Sequence, residues 1–306
     1  MQARISRWRS RHAPLAPGGE ASEGAAGIIL PMLAIPLITL QAVVEVAVGG
    51  MLALFITDVT RLVTRGFLAS TGGVLLLIGV LGVAGQYFLP DPSHLTEHFV
   101  NRAWLQPALR LAALFMILFL LYLVAVYLRP PVLHVIIGLV AMSAGLASVI
   151  ASAYAFPTPV WGPYGTAASF LLSAITIGTV TTAMLLGHWY LVVPNLSTKP
   201  LFILLGVLAA GFLLQAGLAV AALLLLGGRS DFPTTHDVVY GGYSLPFWMH
   251  IAAGIALPLI ITALAFQSTR MRSLMSATGL LYVAVVLTLV GQVTGKVILY
   301  SGNLPL

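Results

Sequence analysis

Apolar residues run through this chain in stretches of roughly 20 positions or more, and polar residues are confined to the gaps between them. Such stretches suit helices crossing a hydrocarbon core about 30 Å thick, not the alternating segments of about 10 residues that build an outer-membrane barrel. Eight spans are expected, over residues 28–56, 67–89, 103–128, 132–155, 166–193, 201–227, 246–267 and 274–299. Proline and charge punctuate the gaps, as in LPDPSHLTEHFVNR, LRPP, FPTPVWGP, VPNLSTKP, GRSDFPTTHDVVYGGYSLP and STRMRS. Most of these loops are short, so consecutive helices are expected to lie antiparallel and side by side. The fold class that follows is all-α, a polytopic integral membrane protein with eight transmembrane helices. Small residues at helix-packing spacing, such as Gly79, Gly82 and Gly85 or Gly138, Ala141 and Gly145, favour close approach of backbones.

Residues 1–26 carry no apolar periodicity and read as a flexible N-terminal tail ahead of a transmembrane domain over 27–306. The apolar run after the tail is far longer than the roughly 7–15 residues of a signal-peptide core, so it is expected to span. Composition agrees: 59% of the 306 residues are hydrophobic and 7% charged. A soluble domain carries about 25% charged residues, so these side chains cannot cover a water-facing surface. No cysteine is present, which excludes disulfides, cysteine-ligated zinc and iron–sulfur ligation within the chain.

The net charge of +6 reads as membrane topology and not as a nucleic-acid surface, because four of the fourteen cations sit in the first eleven residues and several others at helix ends. Let face A be the membrane side of the first helix's N-terminus, and face B the other. Short loops on face B carry Arg61, Arg65, Arg129, Lys199, Arg270 and Arg272, whereas those on face A carry Arg102 and Arg229. Loop counting places face B in the cytoplasm, although Arg4, Arg7, Arg9 and Arg11 of the tail pull the other way.

Ionisable groups inside apolar spans are functional candidates by default. Glu45 lies mid-span in the first helix, with Gln41 one turn before it on the same face. It can serve as a quinone, proton or partner contact, or as a structural hydrogen bond to another helix. Arg110 sits about two turns into the third helix, able to snorkel outward or to pair with Glu45. His250 starts the seventh span on face A, and Gln292 and Lys296 stand four apart on one side of the eighth. With Gln86 and Arg110 they form a candidate cluster on the A side. His134 and His188 share a depth near face B, where two imidazoles on different helices can ligate a haem b or hydrogen-bond a quinone. Trp189 and Tyr190 beside His188 read first as interfacial belt residues. No Ser/His/Asp arrangement, HExxH or P-loop appears, so no substrate chemistry of the chain's own is expected.

Several segments, taken in order, resemble the membrane-anchor subunits of the DMSO-reductase-anchor and NrfD (polysulfide-reductase-type) family. The first helix reads Pro36-Leu37-Ile38-Thr39 and continues to Gly49-Gly50, similar to that family's opening helix. Pro159, Trp161 and Pro163 resemble the Pro-x-Trp loop before its second half. Gly291-Gln292-Val293-Thr294-Gly295-Lys296 resembles the closing Gly-Glu-x-x-Gly-Arg segment, with Gln292 in place of the glutamate and Lys296 in place of the arginine. The loop after the second helix lacks the family's Leu-Gly-x-Pro-x-Arg pattern, and His94, His98 and Arg102 can stand in for it as a partner-docking loop. The likeness runs over about 30–302.

The resemblance implies a bacterial inner-membrane anchor, an eight-helix bundle in two four-helix halves, that binds quinone or quinol (menaquinone or ubiquinone). It would pass electrons to or from an iron–sulfur partner subunit, which relays them to a molybdopterin-type or other catalytic subunit. Two other classes stand beside it. A di-histidine haem b cytochrome would use His134 and His188, and a secondary transporter would show an internal repeat with broken helices, which the halves do not display.

Overall fold

The computed structural model describes residues 20–89, 100–128, 132–158, 161–226, 234–302 and 304. The elements are α1 (Glu20–Val59), α2 (Arg65–Phe88), α3 (Arg102–Leu128), α4 (Leu133–Ala155), α5 (Gly162–Val192), α6 (Lys199–Leu226), a short α7 (Thr235–Val239), α8 (Ser244–Arg270) and α9 (Leu274–Gly302). All but α7 contain a stretch long and apolar enough to cross a membrane, which makes eight spans in a multi-pass membrane protein. Among the described residues no strand forms, and one isolated bridge joins Thr158 to Gly162. Gly162 sits at φ +64, a left-handed turn into α5 that a side chain would strain.

Helix ends follow local chemistry. α1 begins at Glu20, so residues 20–26, expected in the tail, are helical. Alanine and glutamate there are good helix formers. Residues 1–19 of the expected tail lie outside the described residues. α5 starts at Gly162, ahead of the expected 166, because Pro163 occupies its first turn, where the missing N–H has no partner to lose. α8 is helical throughout but widens to a π-helix over His250–Ala256. Pro258 has no N–H for the carbonyl of Gly254, and a wide turn just before it absorbs the mismatch.

The helices form two closed four-helix groups. In the first, α1 packs on α2, α2 on α3, α3 on α4 and α4 back on α1. In the second the ring runs α5, α6, α8, α9 and back to α5. The groups meet along α1 and α5, with α9 also reaching α1. Accordingly 78% of the α1 span and 72% of the α5 span are buried, against 33–39% for the other six, whose remaining faces are left to lipid.

Small residues permit this junction. A Cβ on Gly49 would strike the carbonyl of Ala174, and one on Gly178 would strike the backbone of Gly49 and Gly50. The two backbones are therefore in contact, the close approach that glycine allows between membrane helices. Three buried threonine hydroxyls of α5 cost little, because they donate to carbonyls one turn back: Thr176 to Leu172 at 2.9 Å, Thr181 to Ile177 at 2.7 Å and Thr182 to Gly178 at 3.0 Å, whereas the buried Thr179 hydroxyl meets no partner among the described residues.

Candidate functional site

At the junction of the two groups, α1 contributes Glu45, α5 Ser173 and α9 Lys296. Glu45 is fully buried and Lys296 is 4% exposed, and their charged atoms lie 2.7 Å apart. Glu45 Oε2 accepts from Lys296 Nζ and, at 2.6 Å, from the Ser173 hydroxyl, while Lys296 also donates to Ser173 Oγ at 2.9 Å. Glu45 Oε1 accepts from Gln41 Nε2 at 3.3 Å, one turn earlier on α1. Lys296 Nζ stands 5.0 Å from the centroid of the Phe170 ring, a further cation contact. Each buried ion costs several kcal/mol of desolvation, so the pair stands only because donors and counter-charge surround both partners.

The hydrogen-bonded chain continues towards face A. Gln86 Nε2 on α2 donates to Gln41 Oε1 at 3.4 Å, and both glutamines line a cleft of about 590 Å³ between α1, α2, α3 and α4. Leu37, Leu105, Leu109 and Phe156 supply apolar wall, and Arg102, Gln106 and Tyr87 supply polar groups. The rim is tied down where Asn101 N–H donates to the Ala155 carbonyl at 2.8 Å. From the second group Tyr300 backs the cleft wall edge-on to Phe156, with ring centroids 4.9 Å apart. The cleft sets convergent polar groups against apolar wall, the combination by which a small-molecule site orients its ligand. Here its inner end is one hydrogen bond from a buried ion pair.

The expected A-side cluster of Gln86, Arg110, His250, Gln292 and Lys296 is divided by the tertiary structure. Gln86 and Lys296 belong to the chain just described. Gln292 is buried but faces α6, where its amide and that of Gln215 exchange hydrogen bonds at 3.1 and 3.2 Å. His250 is fully buried, with Nδ1 2.8 Å from the Gly291 carbonyl. A carbonyl only accepts, so Nδ1 carries the proton and Nε2 is left as an acceptor with no donor among the described residues. Arg110 is exposed on α3 and does not pair with Glu45; Lys296, from the far end of the chain, takes that place.

Near face B, His134 lies 3.8 Å from Asp58, while His188 is exposed and its Nδ1 is 3.4 Å from the Tyr282 hydroxyl of α9. The two imidazoles that a bis-histidine haem would need thus engage different neighbours. Trp189 and Tyr190 are not simple belt residues. Trp189 Nε1 donates to Thr64 Oγ1 at 3.0 Å, and Tyr190 is buried with its hydroxyl on the Ser197 carbonyl at 2.6 Å. His94 and His98 lie outside the described residues, and Arg102 reaches the rim of the face-A cleft.

Sequence reasoning did not single out Ser173, Gln215 or Asp58. A serine in an apolar helix is ordinary, so nothing marked Ser173. Gln215 stood in the open as an intramembrane amide, and Asp58 as a carboxyl near a helix end. Neither protein-family models nor curated proteins give a match to this chain.

Proposed function

We propose that this chain is the quinone/quinol-binding membrane anchor of a respiratory oxidoreductase in a bacterial inner membrane. It would work beside an iron–sulfur subunit that exchanges electrons with a molybdopterin-type or other catalytic subunit. One observation carries the reading: a cleft opening at face A whose inner polar end, Gln86 and Gln41, is hydrogen-bonded in series to the buried Glu45–Lys296 pair. A quinone is an apolar ring with two oxygens that need donors when oxidised and acceptors when reduced. Amide side chains provide both.

A quinol that yields its electrons must also yield its hydroxyl protons, and these cannot leave through hydrocarbon. The Gln41 amide orients the ring oxygen and connects it to Glu45. Glu45, held by Ser173 and Lys296, receives or returns the proton, and Lys296 passes on or takes up one in the same step, so that the buried site keeps zero net charge. Electrons pass to or from the partner's cluster, since the chain has no cysteine to hold one. The resemblance of the opening and closing helices to the NrfD-type anchors supports the same reading, and Lys296 stands where that family has its arginine.

The test is quinol oxidation by the intact complex together with binding of a fluorescent quinol-site inhibitor. Gln41→Leu is expected to weaken inhibitor binding about tenfold, the worth of one well-placed hydrogen bond. Glu45→Gln is expected to abolish turnover while the inhibitor still binds. An assembled wild-type complex that takes up neither quinol nor inhibitor would reduce the chain to a scaffold.

A further inference from the structure

On face B a second cleft, of about 440 Å³, opens between the ends of α1, α2, α3 and α4. Asp58, Arg61, Arg65 and His134 line it above apolar walls that include Leu68 and Val126. Its carboxylate is already engaged: Asp58 Oδ2 accepts from the Tyr122 hydroxyl at 2.8 Å and lies 3.8 Å from His134 Nε2. Among the described residues no carboxylate comes within ion-pair distance of Arg61 or Arg65. Both arginines are exposed.

The segment that carries them is built and not loose. Thr64 caps α2 by accepting from the Phe67 N–H at 3.3 Å, and its hydroxyl also accepts from Trp189 of the other helix group at 3.0 Å. Arg61 sits at φ 55, left-handed backbone where helix ends normally use glycine, and its N–H donates to the Asp58 carbonyl at 2.9 Å. A long cationic side chain is thus held at a position that backbone geometry would give to glycine.

We propose that this cleft binds the phosphate of an anionic phospholipid from the face-B leaflet. Two guanidinium groups suit phosphate oxygens, and Arg65 opens α2, where free backbone N–H groups also favour an anion. The apolar floor distinguishes a lipid from free phosphate: below the arginines the walls are Leu68 and Val126, and the neighbouring Val59 and Leu62 are exposed apolar side chains. A ligand that straddles water and bilayer fits both parts, and anionic headgroups attract basic residues at a membrane surface. The inference stands independently of the quinone reading, which concerns the opposite face.

Native mass spectrometry of the full-length protein, exchanged from micelles doped with phosphatidylglycerol or with phosphatidylcholine of the same chains, tests it. The expected result is retained phosphatidylglycerol on the wild type, about tenfold or more weakened in Arg61→Gln/Arg65→Gln. Arg270→Gln/Arg272→Gln, on the same face but outside the cleft, should retain it. Equal loss in both double variants would mean general surface charge and overturn the assignment. So would equal retention of phosphatidylcholine, or displacement by inorganic phosphate with no phosphatidylglycerol bound. The wild-type lipid comparison and the phosphate competition decide the matter even if the cleft variant fails to fold.

Discussion

At the scale of single residues, the Glu45–Lys296–Ser173 contact is the most exposed to test. Removing one ion of a buried pair leaves the other unpaired, at a cost of about 3–5 kcal/mol. Lys296→Met should therefore lower the unfolding midpoint in detergent sharply. The double variant Glu45→Gln/Lys296→Met should recover much of that loss, because no lone charge remains. A double variant no more stable than the single would show that the pair is not the coupled unit described. Ser173→Ala should cost less, roughly 1–3 kcal/mol, since Glu45 keeps its ammonium and one amide. Glu45 and Lys296 were each legible as candidates because charge inside an apolar span is rare. Their partnership was not, because they stand 251 positions apart. The nearer candidate Arg110 turned outward instead.

At the scale of elements, the α1–α5 junction depends on glycine at 49 and 178. Gly178→Leu must push the two helices apart and is expected to cost about 3 kcal/mol or more, read as loss of monodisperse protein. Gly206→Leu, at a position with open space, serves as the tolerant control. Outside the membrane, α7 is closed by a capping box. The Thr234 hydroxyl and backbone N–H both donate to the Asp237 carboxylate, which holds its pKa below the usual aspartate range. A depressed carboxyl contributes stability that is present above the unfolded-state value and lost as pH falls through the folded one. Amide protection at Val238 and Tyr240 should accordingly hold at neutral pH and drop on acidification. Asp237→Asn should flatten that dependence. Span positions were readable to within a few residues, since hydropathy and proline decide them locally. The π-segment of α8 was not, although Pro258 carried its signal.

At the scale of the whole molecule, two four-helix groups joined along α1 and α5 place one cleft at each membrane face. The face-A cleft ends one hydrogen bond from the buried ion pair, and on the quinone proposal the ring enters there. A reduced-minus-oxidised spectrum of the purified native complex separates the two redox classes. The anchor reading expects no haem b band attributable to this chain, whereas a band lost in His188→Ala would assign it to the cytochromes. The positions of His134 on Asp58 and His188 on Tyr282 argue for the first outcome.

What sequence alone determined here is what depends on neighbours along the chain. Hydropathy over about 20 residues sets a span, proline and glycine set its ends, and an absent cysteine rules out a cluster. Only the tertiary structure decided which polar groups meet, because hydrogen bonds and ion pairs within a bilayer are made between helices whose order in space is not written in their order in sequence. That is why five A-side candidates, each sound alone, separated into a hydrogen-bonded chain through Gln86 and Lys296, an amide clasp at Gln292, a half-satisfied imidazole at His250 and an outward arginine at 110.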